Sequence, residues 1–257
     1  MIPYDMITAW STNHAWPTRE QIEQDLLLSQ AICEIANDEI LGKELVIRGG
    51  TAFHKMFLPK PYRYSEDLDY VRTTQGGIGE ITSRLTEIGT SLGYSVKTKI
   101  GKYPKIYYRG TTQTGLPLRI KVEINTYERS PSLSLIHHKH VIDSDWYRRV
   151  AQVQTFRPEE LIATKIRALY QRSKGRDLYD LWLALTVLRL DTDLIIEAFA
   201  PYRPDGFTSK LAINNLEAKL QTPGFRDDIL PLVADAADGY DLFAAGQTVI
   251  ERLLARL

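Results

Sequence analysis

Two glycines and a short acidic strand carry the chemical signal in this sequence. Gly49-Gly50-Thr51 is followed by Arg63-Tyr64-Ser65-Glu66-Asp67-Leu68-Asp69. A strand sends alternate residues to one side, so Asp67 and Asp69 share a face with about 6–7 Å between their Cα atoms, while Leu68 and Tyr70 turn toward a core. Carboxylates that close repel unless cations lie between them. Two Mg²⁺ ions roughly 3.5–4 Å apart would suit the pair and could clamp both oxygens of an in-line phosphoryl displacement. A solvated edge strand is the plainer alternative. The Gly-Gly turn, between a strand and a helix, lets backbone N–H groups approach an anion, or it is simply a tight turn. A third acid lies in Leu118–Asn125, where Leu118, Ile120, Val122 and Ile124 alternate with Arg119, Lys121, Glu123 and Asn125. Glu123 is available there as a third metal ligand, or as the exposed partner of Lys121.

The elements that must hold these residues can be read from periodicity. Residues 19–41 form an amphipathic helix, with Thr18 and Gln21 as a capping box. Leu45–Ile47 is a short buried strand running into the glycines, Thr51–Phe57 a brief helix, and Ser65–Val71 the acidic strand. Gly79–Leu92 is a second amphipathic helix, and Tyr94–Ile100, Ile106–Arg109 and Leu118–Asn125 are strands separated by Gly and Pro turns. From Pro158, with Glu159 and Glu160 in a first turn, helices follow at 159–172 and 176–189. Helical periodicity continues to Leu257, interrupted at Pro201, Pro204, Pro223 and Gly239. The expected fold is α+β or α/β: a mixed-sheet domain over residues 1–156 and a helical C-terminal domain over 157–257 that completes the site.

Composition bounds the function. The chain has 257 residues, 44% of them hydrophobic and 25% charged, which excludes collagen-like, low-complexity and disordered classes. No apolar run approaches the ~20 residues of a membrane helix, and the first 20 residues lack the basic and apolar regions of a secretory signal. The single cysteine, Cys33, cannot form an internal bridge. A soluble cytoplasmic protein is the expectation. The net charge of zero conceals a basic middle: residues 97–176 hold 17 Lys/Arg against 6 Asp/Glu. Such a segment suits a polyanionic ligand, or solvated faces. Lys97, Lys99, Lys102, Lys105 and Arg109, interleaved with Tyr94, Tyr103, Tyr107 and Tyr108, resemble a hairpin able to touch phosphates and stack bases. His137, His138 and His140 lack companion cysteines and helical spacing, which argues against zinc.

Taken together, Gly-Gly, Asp-x-Asp and a later strand acid resemble the nucleotidyltransferase superfamily related to polymerase β. Three blocks, RGGTAFHK (48–55), RYSEDLDY (63–70) and EELIATKIRALYQRSKGRDLYDLW (159–182), are similar more narrowly to the AbiEii/AbiGii toxin family, which includes the MenT-type toxins of type IV toxin–antitoxin systems. The resemblance implies transfer of a nucleoside monophosphate from an NTP to an acceptor with release of pyrophosphate. For MenT-like members that acceptor is the 3′ end of tRNA, whose blockage stops translation; a cognate antitoxin is the implied partner. It further implies that Gly49, Gly50, Thr51 and Ser65 belong to the nucleotide-binding motif. Asp67 and Asp69 would be the metal pair, Lys165 the helical lysine that holds the triphosphate, and Asp177 the final motif acid. Lys165 flanks the stripe of Ile162, Ile166 and Leu169, which predicts a half-exposed side chain along the domain junction. Asp177 and Asp180 can also be read as helix N-terminal acids, with Arg176 and Asp180 an i,i+4 pair; function is assigned to Asp177 only. Arg167, Arg172, Lys174 and Arg176 add charge that could neutralise pyrophosphate. Two other readings remain: the same chemistry on a protein or small-molecule acceptor, and a non-catalytic nucleic-acid-binding module.

Overall fold

A computed structural model of the chain describes residues 2–233 and 239–257. Helices α1 (Tyr4–Ser11), α2 (Arg19–Asn37) and the short α3 (Leu41–Glu44) lead into β1 (Leu45–Arg48), and α4 (Gly49–Met56) follows β1 without a loop. Next come β2 (Asp67–Arg72), α5 (Gly79–Ser91), β3 (Ser95–Lys99), β4 (Lys105–Thr111), β5 (Pro117–Asn125), β6 (Ile136–Asp143) and β7 (Arg148–Thr155). Helices α6 (Pro158–Gln171), α7 (Gly175–Thr186), α8 (Thr192–Phe199), α9 (Ser209–Leu220), α10 (Pro223–Arg226) and α11 (Leu242–Arg252) complete the described chain, with short 3₁₀ turns between some of them. The strands form one mixed sheet of order β3-β4-β5-β2-β1-β7-β6. The expected architecture, mixed sheet first and helices after, is the one observed.

The register does the positioning. β2 runs parallel to β5, pairing Asp67 with Lys121 and Asp69 with Glu123, and antiparallel to β1, pairing Asp69 with Arg48. On the opposite face Leu68, Tyr70, Ile106, Tyr108, Ile120, Val122 and Ile124 are buried, and α2 and α5 pack across the sheet. The Thr18–Gln21 capping box starts α2 as its sequence requires. Because the apolar side chains go to the α2/α5 layer, the charged residues of β2 and β5 share the other face, against which α4 and α6 deliver theirs.

The structure departs from the sequence expectations in three places. The β6–β7 hairpin closes one edge of the sheet, over residues without a strand-like pattern. Its inward residues on β6 are His140 and Ile142 while Val141 faces solvent, so a histidine breaks the inward apolar row and a valine lies on the outer one. Helix α1 is a further element that the periodicity does not announce. The tyrosines of the β3–β4 hairpin are not all available for stacking. Tyr108 is buried and donates to the Leu85 carbonyl at 2.7 Å, and one face of the half-buried Tyr94 is stacked on it, while Tyr103 is exposed and Tyr107 half-buried. The helical reading to Leu257 runs across residues 234–238, which lie outside those described.

Helix α7 begins where α10 presses on it. A Cβ at Gly175 would lie 2.1 Å from the Phe225 carbonyl oxygen, whereas one at Gly224 would meet nothing within 4 Å. Gly175→Ala is therefore expected to lower stability by about 1–3 kcal/mol in urea denaturation, and Gly224→Ala to leave it within about 0.5 kcal/mol.

Candidate active site

The glycine turn is shaped by what it faces. Gly49 has φ +79°, and a Cβ there would lie 2.8 Å from Asp69 Oδ2. A Cβ on Gly50 would lie 2.4 Å from Arg63 Nη2 and 3.4 Å from Ser65 Oγ. Gly49 thus lets the start of α4 approach β2, and Gly50 the loop before it, more closely than a side chain would permit. Thr51 is buried. Its hydroxyl lies 2.8 Å from Ser65 Oγ and donates to the Asp67 carbonyl at 2.5 Å. Thr51 therefore braces Ser65 and the start of β2, while Gly49, Gly50 and Ser65 line the cavity beside them.

That cavity, of 330 Å³, has two electrically distinct sides. On β2 are Asp67 and Asp69, with Arg48 beside Asp69 on β1 and Arg63 in the loop before β2; α6, α7 and the turn between them bring Lys165, Arg167, Arg172 and Arg176. Burial, and then the charge of Asp67, push the Asp69 carboxyl above its ordinary range. No hydrogen bond or ion pair among the described residues reaches Asp69. Asp67 and Glu123 share Lys121, whose Nζ lies 2.9 Å from Asp67 Oδ2 and 3.2 Å from Glu123 Oε2, and Lys105 lies 3.2 Å from Glu123. Among the described residues no three acids, histidines or cysteines converge on one metal position. What is present is a pair of hard oxygen donors with a third acid in register, a set suited to Mg²⁺, with lysine ammoniums among them.

The cationic side rests on two buried acids of α7. Asp177 and Asp180 are both fully buried. Lys165 Nζ lies 3.1 Å from Asp177 Oδ1 and 2.8 Å from Asp180 Oδ2. Arg172 grips Asp177 through two nitrogens at 2.7 and 2.8 Å, and Arg63 grips Asp180 in the same way at 2.7 Å each. His54 Nε2 completes the set at 2.8 Å from Asp180 Oδ1, so with the carboxylate ionised this nitrogen carries the proton. Burial alone would raise Asp180, but Arg63, Lys165 and His54 outweigh it and hold the carboxyl well below its ordinary range.

Two sequence expectations are corrected by these contacts. Lys165 is only 7% exposed, not half-exposed. Asp180 is not the surface partner of Arg176, which instead meets Asp228. Glu128 is a functional candidate that sequence reasoning does not find. Hydrogen bonds from Arg167 and Arg48 overcome the effect of burial and hold its carboxyl down to about 2, joining β1 to α6. It follows β5 in a turn, outside any pattern that would mark it.

The helices and sheet around this cavity define a known fold. MenT4, a nucleotidyltransferase toxin from Mycobacterium tuberculosis, superposes with a TM-score of 0.63 at 16% identity, covering 100% of this chain and 91% of that one. JHP933 from Helicobacter pylori superposes at 0.54 with 17% identity, covering 94% of each chain. No curated protein matches the sequence. Residues 30–249 match the family described as nucleotidyl transferase AbiEii toxin of type IV toxin–antitoxin systems, and the chain belongs to that family. It is a nucleotidyltransferase toxin by family.

Two measurements check the electrostatics. Asp180→Asn removes the anion shared by three buried cationic or proton-donating groups and should cost about 3–5 kcal/mol in denaturant unfolding. Histidines impose a separate pH dependence. Burial, then Arg63, lowers His54 to about 4; burial, then Lys55, lowers His140 to about 3. Both are neutral in the fold and become protonated in the unfolded chain below about pH 6.5, so the unfolded state binds more protons and stability falls as pH drops from there toward 4. The melting temperature should decline across that window, and His140→Phe should make the decline shallower.

Proposed function

We propose that this protein transfers a nucleoside monophosphate from an NTP to RNA, most specifically to the 3′ end of tRNA, and thereby blocks translation. The carrying observation is the division of one cavity into a carboxylate side on β2 and a cationic side on α6 and α7. An NTP fits this division with its triphosphate toward Lys165, Arg172 and Arg176, Gly49, Gly50 and Ser65 at the phosphates, and its α-phosphorus beside Asp67 and Asp69. Family membership supports NTP use and an antitoxin as partner. In the step, the acceptor hydroxyl oxygen bonds to the α-phosphorus as its bond to the β-phosphate bridging oxygen breaks. Pyrophosphate leaves toward the cations, and the hydroxyl proton passes to a carboxylate oxygen of β2 or β5.

Asp67 and Asp69 would hold Mg²⁺, with Glu123 joining them once Lys121 gives way. The ion would supply charge stabilisation of the transferring phosphoryl group, and two ions suit the carboxylate pair. Asp177 and Asp180 would act through Lys165, Arg172 and Arg63, fixing cations that touch phosphate. The division of labour largely follows the chain: residues 1–156 supply the acids, the glycines and Arg63, and 157–257 supply the remaining triphosphate cations. Among the described residues no helix is long and apolar enough to cross a membrane, and a cytoplasmic site of action follows from the substrates, NTP and tRNA.

Incubation with each labelled NTP and Mg²⁺, first with total RNA and then with protein extract, tests the acceptor; label in protein but not RNA overturns the RNA reading. Asp69→Asn should reduce transfer by about 10²–10³-fold while leaving stability equal or greater, because the half-buried Asp69 carboxylate has no hydrogen-bond or ion-pair contact among the described residues. Wild-type transfer by this variant would overturn the assignment of the pair. Lys97, Lys99 and Lys102 are exposed along the β3–β4 edge, whereas Lys105 contacts Glu123. Replacing the first three with Ala should weaken tRNA binding and reduce its salt slope by about 0.7–0.9 for each phosphate that is no longer neutralised, with NTP binding unchanged.

A further inference from the structure

A second cavity, of 420 Å³, lies on the other side of Arg63 and Ser65, which line both. Its remaining walls come from α1 and the α1–α2 connection, α2, the later part of α4, the loop after it and β6; Gly49 and Gly50, at the other end of α4, do not line it. Three buried polar atoms on residues lining this cavity have no hydrogen-bond partner: Trp16 Nε1, His54 Nδ1 and His140 Nε2. Each residue is more than nine-tenths buried, at 8%, 6% and 8% exposure. Burying a polar group without a partner is costly, and three such groups, brought to one cavity by the α1–α2 connection, α4 and β6, call for a ligand that would pair them.

The chemistry of the walls narrows that ligand. Trp16 Nε1 can only donate. His54 Nδ1 can only accept, because its Nε2 proton is committed to Asp180. His140 Nε2 can do either according to tautomer. Trp10 and His14 stack with ring centroids 3.9 Å apart and planes 4° from parallel, giving a flat aromatic wall. The charges deep in the cavity are matched among themselves: Lys55 Nζ lies 2.6 Å from Asp25 Oδ1, whose Oδ2 accepts from Trp10 Nε1 at 3.0 Å. Arg63 is committed to Asp180, and Lys60 and Lys139 are exposed at the rim. Burial keeps His14, His54, His138 and His140 below their ordinary range, so the imidazoles are neutral at pH 7. A phosphate or carboxylate seated against the three unpartnered atoms would meet no uncommitted cation there. A flat, uncharged ring bearing both donors and acceptors matches them.

We propose that this cavity binds a nucleobase. The choice of a nucleobase among neutral heterocycles rests on the nucleotidyl-transfer reading of the adjoining site, since the shared wall of Arg63 and Ser65 puts the two ligands side by side. The three unpartnered atoms are shielded from bulk water, so the side chains shift to admit the ring and close around it. The base can come from the donor NTP or from a separate nucleoside, such as one in the acceptor RNA.

Titration of the full chain with adenosine, guanosine, cytidine and uridine, without metal and so without turnover, tests this by ligand-observed NMR and by tryptophan fluorescence, which Trp10 and Trp16 report directly. At least one nucleoside should bind. Trp16→Phe, which keeps an aromatic ring and removes the N–H, and His140→Phe should each weaken it about five- to tenfold, while Asp67→Asn leaves it unchanged. Repeating the titration with saturating non-hydrolysable NTP separates the sources: competition assigns the cavity to the donor base, and simultaneous binding assigns it to a second one. Failure of all four nucleosides to bind, or equal affinity in both folded variants and wild type, overturns the proposal. Neither result depends on transfer activity, so the nucleotidyl-transfer reading stands or falls by its own assay.

Discussion

One buried carboxylate organises the molecule. Asp180 simultaneously meets Arg63 from the loop before β2, His54 from α4 and Lys165 from α6. These come from three separate stretches of the chain, so the ionic cluster locks the sheet-bearing part to the helical part at the cavity. A buried charge without partners is costly, and a carboxylate ringed by well-placed donors is not. The price of this arrangement is that no member is dispensable: removal of any one leaves the others buried and mismatched. Asp177 does the same on a smaller scale for Lys165 and Arg172, and Glu128 for Arg48 and Arg167. These cations, which face the cavity, are each held from behind by an acid.

The opposite side of the cavity follows the reverse logic. Asp67, Asp69 and Glu123 are brought close by the β2–β5 register, and lysines, with Arg48 beside Asp69, relieve part of their repulsion. Lys121 bridges Asp67 and Glu123, and Lys105 supports Glu123, while Asp69 has no such contact and its carboxyl is pushed up. The lysines occupy positions a divalent cation would claim. A rigid cationic half thus faces an anionic half whose charges await compensation, which is an arrangement suited to binding a metal–triphosphate together and not either component alone.

What depends on local spacing is legible in the sequence. The alternation of β5 places Glu123 on the acidic face, the Gly-Gly pair marks the close approach to Asp69, and Pro158 marks the start of α6. What depends on contacts distant along the chain is hidden. Arg63 and Asp180 are 117 residues apart, and nothing local distinguishes a buried Asp180 from a solvated helix acid. Lys165 reads as half-exposed because the acids that cover it lie on the next helix. The β6–β7 hairpin escapes the pattern because a histidine, which carries no apolar signal, fills an inward position.

The backbone N–H of Tyr64, in the loop that leads into β2, donates to the carbonyl of Leu232 at 2.7 Å. Lys165, Asp177 and Asp180 also come from the later part of the chain. On the ribosome, a polypeptide that has emerged only through β7 carries both acids of β2 but neither Asp180, which grips Arg63, nor the cations of α6 and α7. The acidic side is made first; the helices and turn that carry Lys165, Arg172, Arg176, Asp177 and Asp180 follow it. In this order of synthesis the cavity is completed, and its two sides face each other, only when the last helices emerge.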